Sequence, residues 1–239
     1  MPIVEGAGVE LAYEERGAGP AVLLVHGMGE DRRAWADVAA ALAGGARAIA
    51  YDRRGYGDSG APEPYRATTV NEQAEDAAAL LRALGAGPAV ACGRDLGALV
   101  VIDLLQRHAD VVRAGVLLDP AAFPLVPEAN EALAAERDLL ERTLRGDGGS
   151  AAVAAWHAAR GRPDAPPAAP RAFFADFGGQ STLPLTRRGL REVEAPVVVL
   201  DTPTAPPHVR AAADALAALL PDADRGTAAD PVGAIRALI

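Results

Sequence analysis

The sequence predicts an α/β fold, a doubly wound and mostly parallel sheet interrupted by one helical insertion. Three observations predict it. Short apolar runs recur at residues 21–25, 88–92 and 116–118, and at 46–50 with one interruption at Arg47, as expected of strands buried on both faces. Segments with helical apolar spacing alternate with them, and that alternation is the pattern of a parallel sheet with crossover helices. The run 88–92 also enters a sharp turn, Gly93-Arg94-Asp95-Leu96-Gly97, which opens directly into a helical pattern at 96–105. Strand, glycine-flanked turn and helix together have the geometry of a nucleophile elbow. The small neighbours let strand and helix pack closely, and the middle residue is pushed to the top of the sheet beside a helix N-terminus.

The elements follow in order. Residues 9–13 alternate weakly and read as an edge strand. Residues 21–25 form a buried strand ending in His26-Gly27-Met28-Gly29. Residues 33–42 are helical, with Trp35, Val38 and Leu42 on one face. Residues 46–50 are a strand leading into Asp52-Arg53-Arg54-Gly55-Tyr56-Gly57-Asp58-Ser59. Residues 70–84 form an amphipathic helix, and the strand and helix around Asp95 come next. Residues 116–118 are a strand ending in Asp119-Pro120. From 120 the βα rhythm breaks: helices are expected at 128–144 and 151–160, and a Pro-rich stretch at 163–170 separates these from Phe173-Phe174-Ala175-Asp176-Phe177. The rhythm returns with a strand at 197–200, a polar and weakly strand-like stretch at 222–231, and a helix at 232–238. The expected division is a core over 1–119, a helical cap over 120–192 and the rest of the core over 193–239.

Composition narrows the class. A chain of 239 residues with 50% hydrophobic residues can bury a large core. The net charge of −9 argues against nucleic acid and against an anionic membrane surface. All 23 basic residues are Arg, which reads as the codon usage of a G+C-rich genome and makes each Arg weak evidence for anion binding. The single cysteine, Cys92, lies in a strand and leaves neither a disulfide nor a cysteine-rich metal site. With no leader pattern and no bilayer-length apolar run, the expectation is a cytoplasmic protein without cofactor or metal. Oligomeric state stays open, with a homodimer one option.

His26-Gly27 after one strand, the Arg-rich motif at 52–59 after the next and the G-x-D-x-G elbow resemble the α/β-hydrolase superfamily over about residues 20–125. The elbow carries Asp95, as in dehalogenases and epoxide hydrolases. In those members the Asp attacks an alkyl carbon and a His-activated water hydrolyses the ester. The resemblance implies an oxyanion hole from the backbone N–H groups of Met28 and Leu96. It implies that His26 holds the oxyanion loop, and that the catalytic acid lies at Asp201 or, as in some Asp-elbow members, at Asp119. It also implies a Gly-His pair near the C-terminus, where this chain has Asp222-Ala223-Asp224-Arg225-Gly226-Thr227-Ala228-Ala229-Asp230-Pro231 and no His.

The other histidines are weighed as substitutes. His157 sits in the cap and would face Asp95 or simply pack. His208 starts a late helix, where a surface position is favoured over a catalytic one. His108 is expected to face solvent at a helix end. Asp52 and Asp58 are expected to hold their loop through Arg53 or Arg54.

All four Phe of the chain, Phe123, Phe173, Phe174 and Phe177, fall in the cap, and so does Trp156. They either line a pocket for a hydrophobic or aromatic small molecule or dock the cap on the core; both readings stand at even odds. Without the late His, hydrolysis of an alkyl-enzyme loses the base that activates water. An elbow Asp in a dry apolar pocket would instead serve as an acid or base. That suits cyclisation, isomerisation or carbon–carbon bond formation, and non-hydrolytic members of the superfamily act in bacterial polyketide tailoring. A hydrolase of dehalogenase or epoxide-hydrolase type, with His157 or His208 as base, is the first alternative. A non-catalytic small-molecule binder is the second.

Overall fold

In the computed structural model, which describes residues 1–165 and 169–239, the apolar runs pair side by side in one sheet. Its strands are β1 (Ile3–Glu5), β2 (Glu10–Arg16), β3 (Ala21–Val25), β4 (Arg47–Tyr51), β5 (Ala89–Arg94), β6 (Val112–Leu118), β7 (Val197–Asp201) and β8 (Ala223–Thr227). The order is β1-β2-β4-β3-β5-β6-β7-β8. From β4 to β8 every pairing is parallel, while β1–β2 and β2–β4 are antiparallel. The fold is therefore α/β, with a mixed, mostly parallel sheet.

The helices outside the insertion are α1 (Ala36–Leu42), α2 (Val70–Ala83), α3 (Leu96–Arg107), α8 (Pro207–Ala217) and α9 (Val232–Leu238). Side chains alternate across each strand, so one sheet face meets α2, α3 and α8 and the other meets α1 and α9. Leu23 and Val25 of β3 pack in the first layer with Leu99 and Val209. Val22 and Leu24 pack in the second with Val38, Leu42 and Ile235. Cys92 lies fully buried in that second layer, and burial pushes its thiol up to about 12.

Two strand expectations are corrected. The strand near Val9–Tyr13 is not the sheet edge, because β1 pairs outside it; β1 has only three residues, too few to show alternation. The polar stretch after residue 222 does form a strand, β8, beside β7. Its side chains are mostly exposed, as an edge position allows.

Between β6 and β7 the chain leaves the sheet for α4 (Ala129–Asp147), α5 (Gly149–Ala159), α6 (Pro170–Gly179) and α7 (Arg187–Arg191). Residues 166–168 of the Pro-rich separator lie outside the described residues. Trp156 and Phe173 are fully buried with ring centroids 5.2 Å apart, and they join the same apolar cluster as α2 and α3. Phe174 and Phe177 pack around Phe173 at 5.3 and 6.2 Å. Among the described residues no helix is long and apolar enough to cross a membrane.

Candidate active site

The parallel strands end together, so the loops after β3, β5, β6 and β7 share one rim of the sheet. Asp95 follows β5 there. Its φ is 55° and ψ −118°, left-handed strain that a non-glycine residue adopts only when its surroundings enforce it. The surroundings are visible. Asp95 N–H donates to Leu118 O at 3.0 Å, and its carbonyl accepts from Ala98 N–H at 3.1 Å and Ala121 N–H at 3.3 Å. A Cβ at Gly93 would collide with Gly97 O, and one at Gly97 with Val25 O, so strand and helix close to this distance only with glycine at both positions.

The loop after β3 is fixed by His26. Arg53 N–H donates to His26 Nε2 at 2.9 Å, which leaves the proton on Nδ1, and Nδ1–H donates to Gly27 O at 2.8 Å. Burial above all, and then the Arg53 guanidinium, push His26 down to about 3 from an ordinary 6.5, so the ring is neutral. Met28 N–H donates to Asp95 Oδ2 at 3.2 Å. Leu96 is the first residue of α3, where a backbone N–H has no intrahelical acceptor.

Two arginines from the loop after α5 complete the surroundings of Asp95. Arg160 Nη1 lies 3.7 Å from Asp95 Oδ1, and Arg162 Nη2 lies 3.8 Å from Oδ2. Both guanidiniums are clamped from behind. Glu136 takes Arg160 Nε at 2.6 Å and Nη2 at 2.7 Å, and Glu30 takes Arg162 Nη1 at 2.7 Å. Burial would raise both glutamates, but the guanidiniums, with His208 beside Glu136 and a backbone N–H on Glu30, overcome it and hold each at about 2. The Arg160 guanidinium also lies 4.8 Å from the Trp156 ring and 4.9 Å from that of Phe123.

The space in front of Asp95 has a volume of about 10 Å³ and is lined by Asp95, Asp119, Arg160, Arg162, Pro206 and Val209. The expected dry apolar surroundings of the carboxylate are therefore corrected to cationic ones. Trp156, Phe123, Phe173, Phe174 and Phe177 are absent from that lining. Their rings pack on one another and on Arg160 and His208, because fully burying that apolar area gains more than leaving it around an open cavity. A larger groove of about 490 Å³ lies between α4 and α8, lined among others by Val126, Ala132, Pro207 and His208.

The histidines go elsewhere. His157 Nε2–H donates to Gly29 O at 3.0 Å, and burial with the Arg162 charge lowers its pKa, so it too is neutral. His208 is half-buried at the edge of that groove. It sits at the start of α8 with Nε2 3.2 Å from Glu136 Oε1 and its ring 5.5 Å from Phe123. His108 does not face solvent; Arg82 and Glu75 meet its two ring nitrogens at 3.3 and 3.2 Å. In both cases a neighbouring helix with a complementary charge covers a helix end that sequence spacing alone leaves open.

Among the carboxylates, Asp119 also has a positive φ, 48°, and its oxygens accept Thr202 N–H at 2.8 Å and Thr202 Oγ1–H at 2.9 Å. Burial raises its pKa against the pull of those two bonds. Asp201 accepts Thr227 Oγ1–H at 3.1 Å and pairs with Arg225. Asp52 and Asp58 are held by Arg32, while Arg53 pairs with Asp176 at 2.8 Å and Arg54 with Asp76 at 2.6 Å. Arg160, Arg162, Glu136, Glu30 and Asp176 are site residues that sequence reasoning missed. The signal for the arginines was the Arg160-Gly161-Arg162 pair closing a cap helix, and an all-Arg composition masks it. Among the described residues, no three of His, Cys, Asp and Glu gather as metal ligands would.

Comparison with known proteins bears on the family and the fold. Residues 20–156 match the family model described as alpha/beta hydrolase fold. An uncharacterised hydrolase of Bacillus subtilis is 34% identical over 130 residues, 54% of this chain and 48% of that protein. Epoxide hydrolase A of Mycobacterium tuberculosis is 38% identical over 125 residues, 51% of this chain and 39% of that protein. These matches thus span about half or less of the relatives' length. Among solved structures, a thermophilic esterase from Thermogutta terrifontis superposes with a TM-score of 0.75 at 24% identity, over 99% of this chain and 96% of that one. An alpha/beta hydrolase from Sphaerobacter thermophilus superposes with a TM-score of 0.68 at 27% identity, over 95% and 91%. With a family match over more than half of its residues and this strand order, the chain belongs to the alpha/beta hydrolase fold family.

Proposed function

We propose that this chain is an enzyme that uses Asp95 for proton transfer in a non-hydrolytic reaction on a small molecule: a cyclisation, an isomerisation or a carbon–carbon bond formation of the kind used in natural-product tailoring. The observation that carries this reading is the set of groups around Asp95. They are a backbone N–H, two guanidiniums and a second carboxylate, and among the described residues no imidazole joins them. Hydrolysing an aspartyl ester needs a base to activate water, and that help is worth about two to four orders of magnitude. An arginine cannot provide it, because its guanidinium does not give up its proton near neutral pH. The helices between β6 and β7 act as a cap. The present space at Asp95 is too small for any organic substrate, so the loop carrying Arg160 and Arg162 lifts together with α4 and α5 to admit one.

A hydrolase reading is supported by the likeness, over about half of this chain, to proteins named hydrolases, epoxide hydrolases among them. One experiment separates the two. The protein is incubated in oxygen-18 water with a panel of epoxides, haloacids and aryl esters, followed by mass spectrometry of the Asp95 peptide. We expect no label in Asp95 and no turnover that disappears in Asp95→Asn. Label entering the carboxylate would show a nucleophile and overturn the proposal.

A further inference from the structure

Arg160 and Arg162 are arranged in a way that the proton-transfer reading does not by itself require. Each guanidinium uses part of its donor set on a buried glutamate, and each directs a remaining Nη toward the elbow carboxylate. The distances of 3.7 and 3.8 Å are ion-pair contacts, too long for hydrogen bonds. Arg160 cannot swing away while Glu136 holds two of its nitrogens between Trp156 and Phe123. Met28 N–H is the third donor, at 3.2 Å. Three donors therefore converge on one anionic group, and in the resting protein that group is Asp95 itself.

We propose that these three donors form a receptor for a substrate oxyanion, and that the substrate is a carbonyl compound with an acidic C–H beside the carbonyl. The inference rests on the proton-transfer reading given above. The step balances in charge. An Asp95 oxygen takes the proton, the C–H electron pair moves into the new C–C double bond, and the carbonyl π pair moves onto oxygen as an enolate. Asp95 is then a neutral acid and the enolate carries the charge, so the site total does not change. Arg160, Arg162 and Met28 N–H, which hold the Asp95 charge beforehand, hold the enolate oxygen afterwards. The proton returns from Asp95 to carbon, or the enolate carbon attacks a second carbonyl carbon, whose C–O π pair moves onto its oxygen and takes the proton from Asp95. In the native protein a bound oxyanion must compete with the Asp95 carboxylate. With Asp95 neutral the receptor is free.

That difference is testable without the natural substrate. Asp95→Asn keeps the shape of the protonated acid and removes the charge. 4-Nitrophenolate is the fixed oxyanion probe and 4-nitroanisole its neutral counterpart, and affinities are measured by calorimetric titration. We expect Asp95→Asn to bind the phenolate at least about tenfold tighter than the native protein, the least that a charge-assisted hydrogen bond gives. We also expect it to prefer the phenolate to the anisole by a similar factor. Adding Arg160→Gln or Arg162→Gln to Asp95→Asn should cancel the gain. Where such a double variant does not fold by circular dichroism, the phenolate-to-anisole preference of Asp95→Asn decides alone. Equal binding by native and Asp95→Asn proteins, or equal binding of the two probes, would overturn the receptor. Oxygen-18 entry into Asp95 would instead sink the proton-transfer reading and leave the anion measurement unaffected.

Discussion

Asp95 and Asp119 are the only residues other than glycine with a positive φ among the described residues, and they end adjacent strands and line the same space. Strain of this kind costs about 1–3 kcal/mol at each residue and persists where the fold over-determines it, most often at functional sites. His26 holds the loop after β3, whose Met28 N–H meets Asp95, and it does so only as the neutral ring that accepts Arg53 N–H. The consequence for pH has a definite sign. The folded protein keeps His26 unprotonated down to about 3, whereas the unfolded chain takes the proton near 6.5. The stability is present above 6.5 and is lost as pH falls from there toward 3. His157, also lowered, acts in the same direction, while Glu30 and Glu136 lose their contribution only between their ordinary 4.5 and about 2. Melting temperature should therefore begin to fall below about pH 6.5, well before carboxylates protonate. In His26→Gln, whose amide can accept the same N–H, the slope between pH 6.5 and 5 should shrink. A flat profile down to pH 5 in the native protein would contradict this account.

At the scale of elements, the polar joint between α6 and the core deserves a measurement. Asp176 is fully buried; it takes Arg53 at 2.8 Å, Tyr56 O–H at 2.7 Å and Gln73 Nε2–H at 2.9 Å, so α6 is tied to the loop after β4 and to α2. Tyr56 Oη in turn accepts Gly29 N–H at 3.3 Å, extending the chain to the loop after β3. Asp176→Asn leaves a buried guanidinium without its counter-charge, and urea denaturation should show a loss of about 3–5 kcal/mol. A loss under about 1 kcal/mol would mean that water reaches Arg53. Trp156→Ala should cost a similar ~3–5 kcal/mol as a core cavity, because the indole is fully buried rather than lining an open pocket. The sheet was legible in the sequence because its central strands are short, uninterrupted apolar runs and its turns carry glycines that only close packing demands. Asp95 was legible for the same reason. Asp176, Glu136 and Glu30 were not, since each matters through a partner far away in the chain: 123 residues separate Arg53 from Asp176, and no local pattern marks such a pair. The even odds on the aromatics could not be resolved from sequence either, because a docked ring and a pocket ring have the same composition.

For the molecule as a whole, the insertion meets the sheet rim through charged and polar contacts as well as apolar ones. Arg162 reaches Glu30, Arg160 reaches Asp95, Asp176 reaches Arg53, and His157 reaches Gly29 O, while Arg171 meets Glu63 at the surface. Beneath them the space at Asp95 holds about 10 Å³, so a substrate enters only when this layer separates from the rim. Ion pairs with a desolvated partner break singly and at a definite cost, unlike a continuous apolar seam, and that suits a layer that opens and recloses as a unit. Of these contacts, Arg162–Glu30 is the one best placed to test opening. It joins the loop after α5 to the loop after β3, and its arginine keeps some solvent contact, with 17% of its side chain exposed. Glu30→Gln removes the counter-charge without changing the side-chain volume, and leaves Arg94 and Arg162 without their shared anion. Hydrogen exchange read by mass spectrometry should then show amides of α5 and α6 exchanging about tenfold faster or more, as expected from losing one charge-assisted hydrogen bond in an opening equilibrium. Amides of β3, β5 and β6 should exchange as before, because their ladders lie under the layer and are not part of it. If α5 and α6 instead kept pace with the sheet in both proteins, opening would require global unfolding, and the route to Asp95 would have to be sought elsewhere on the rim.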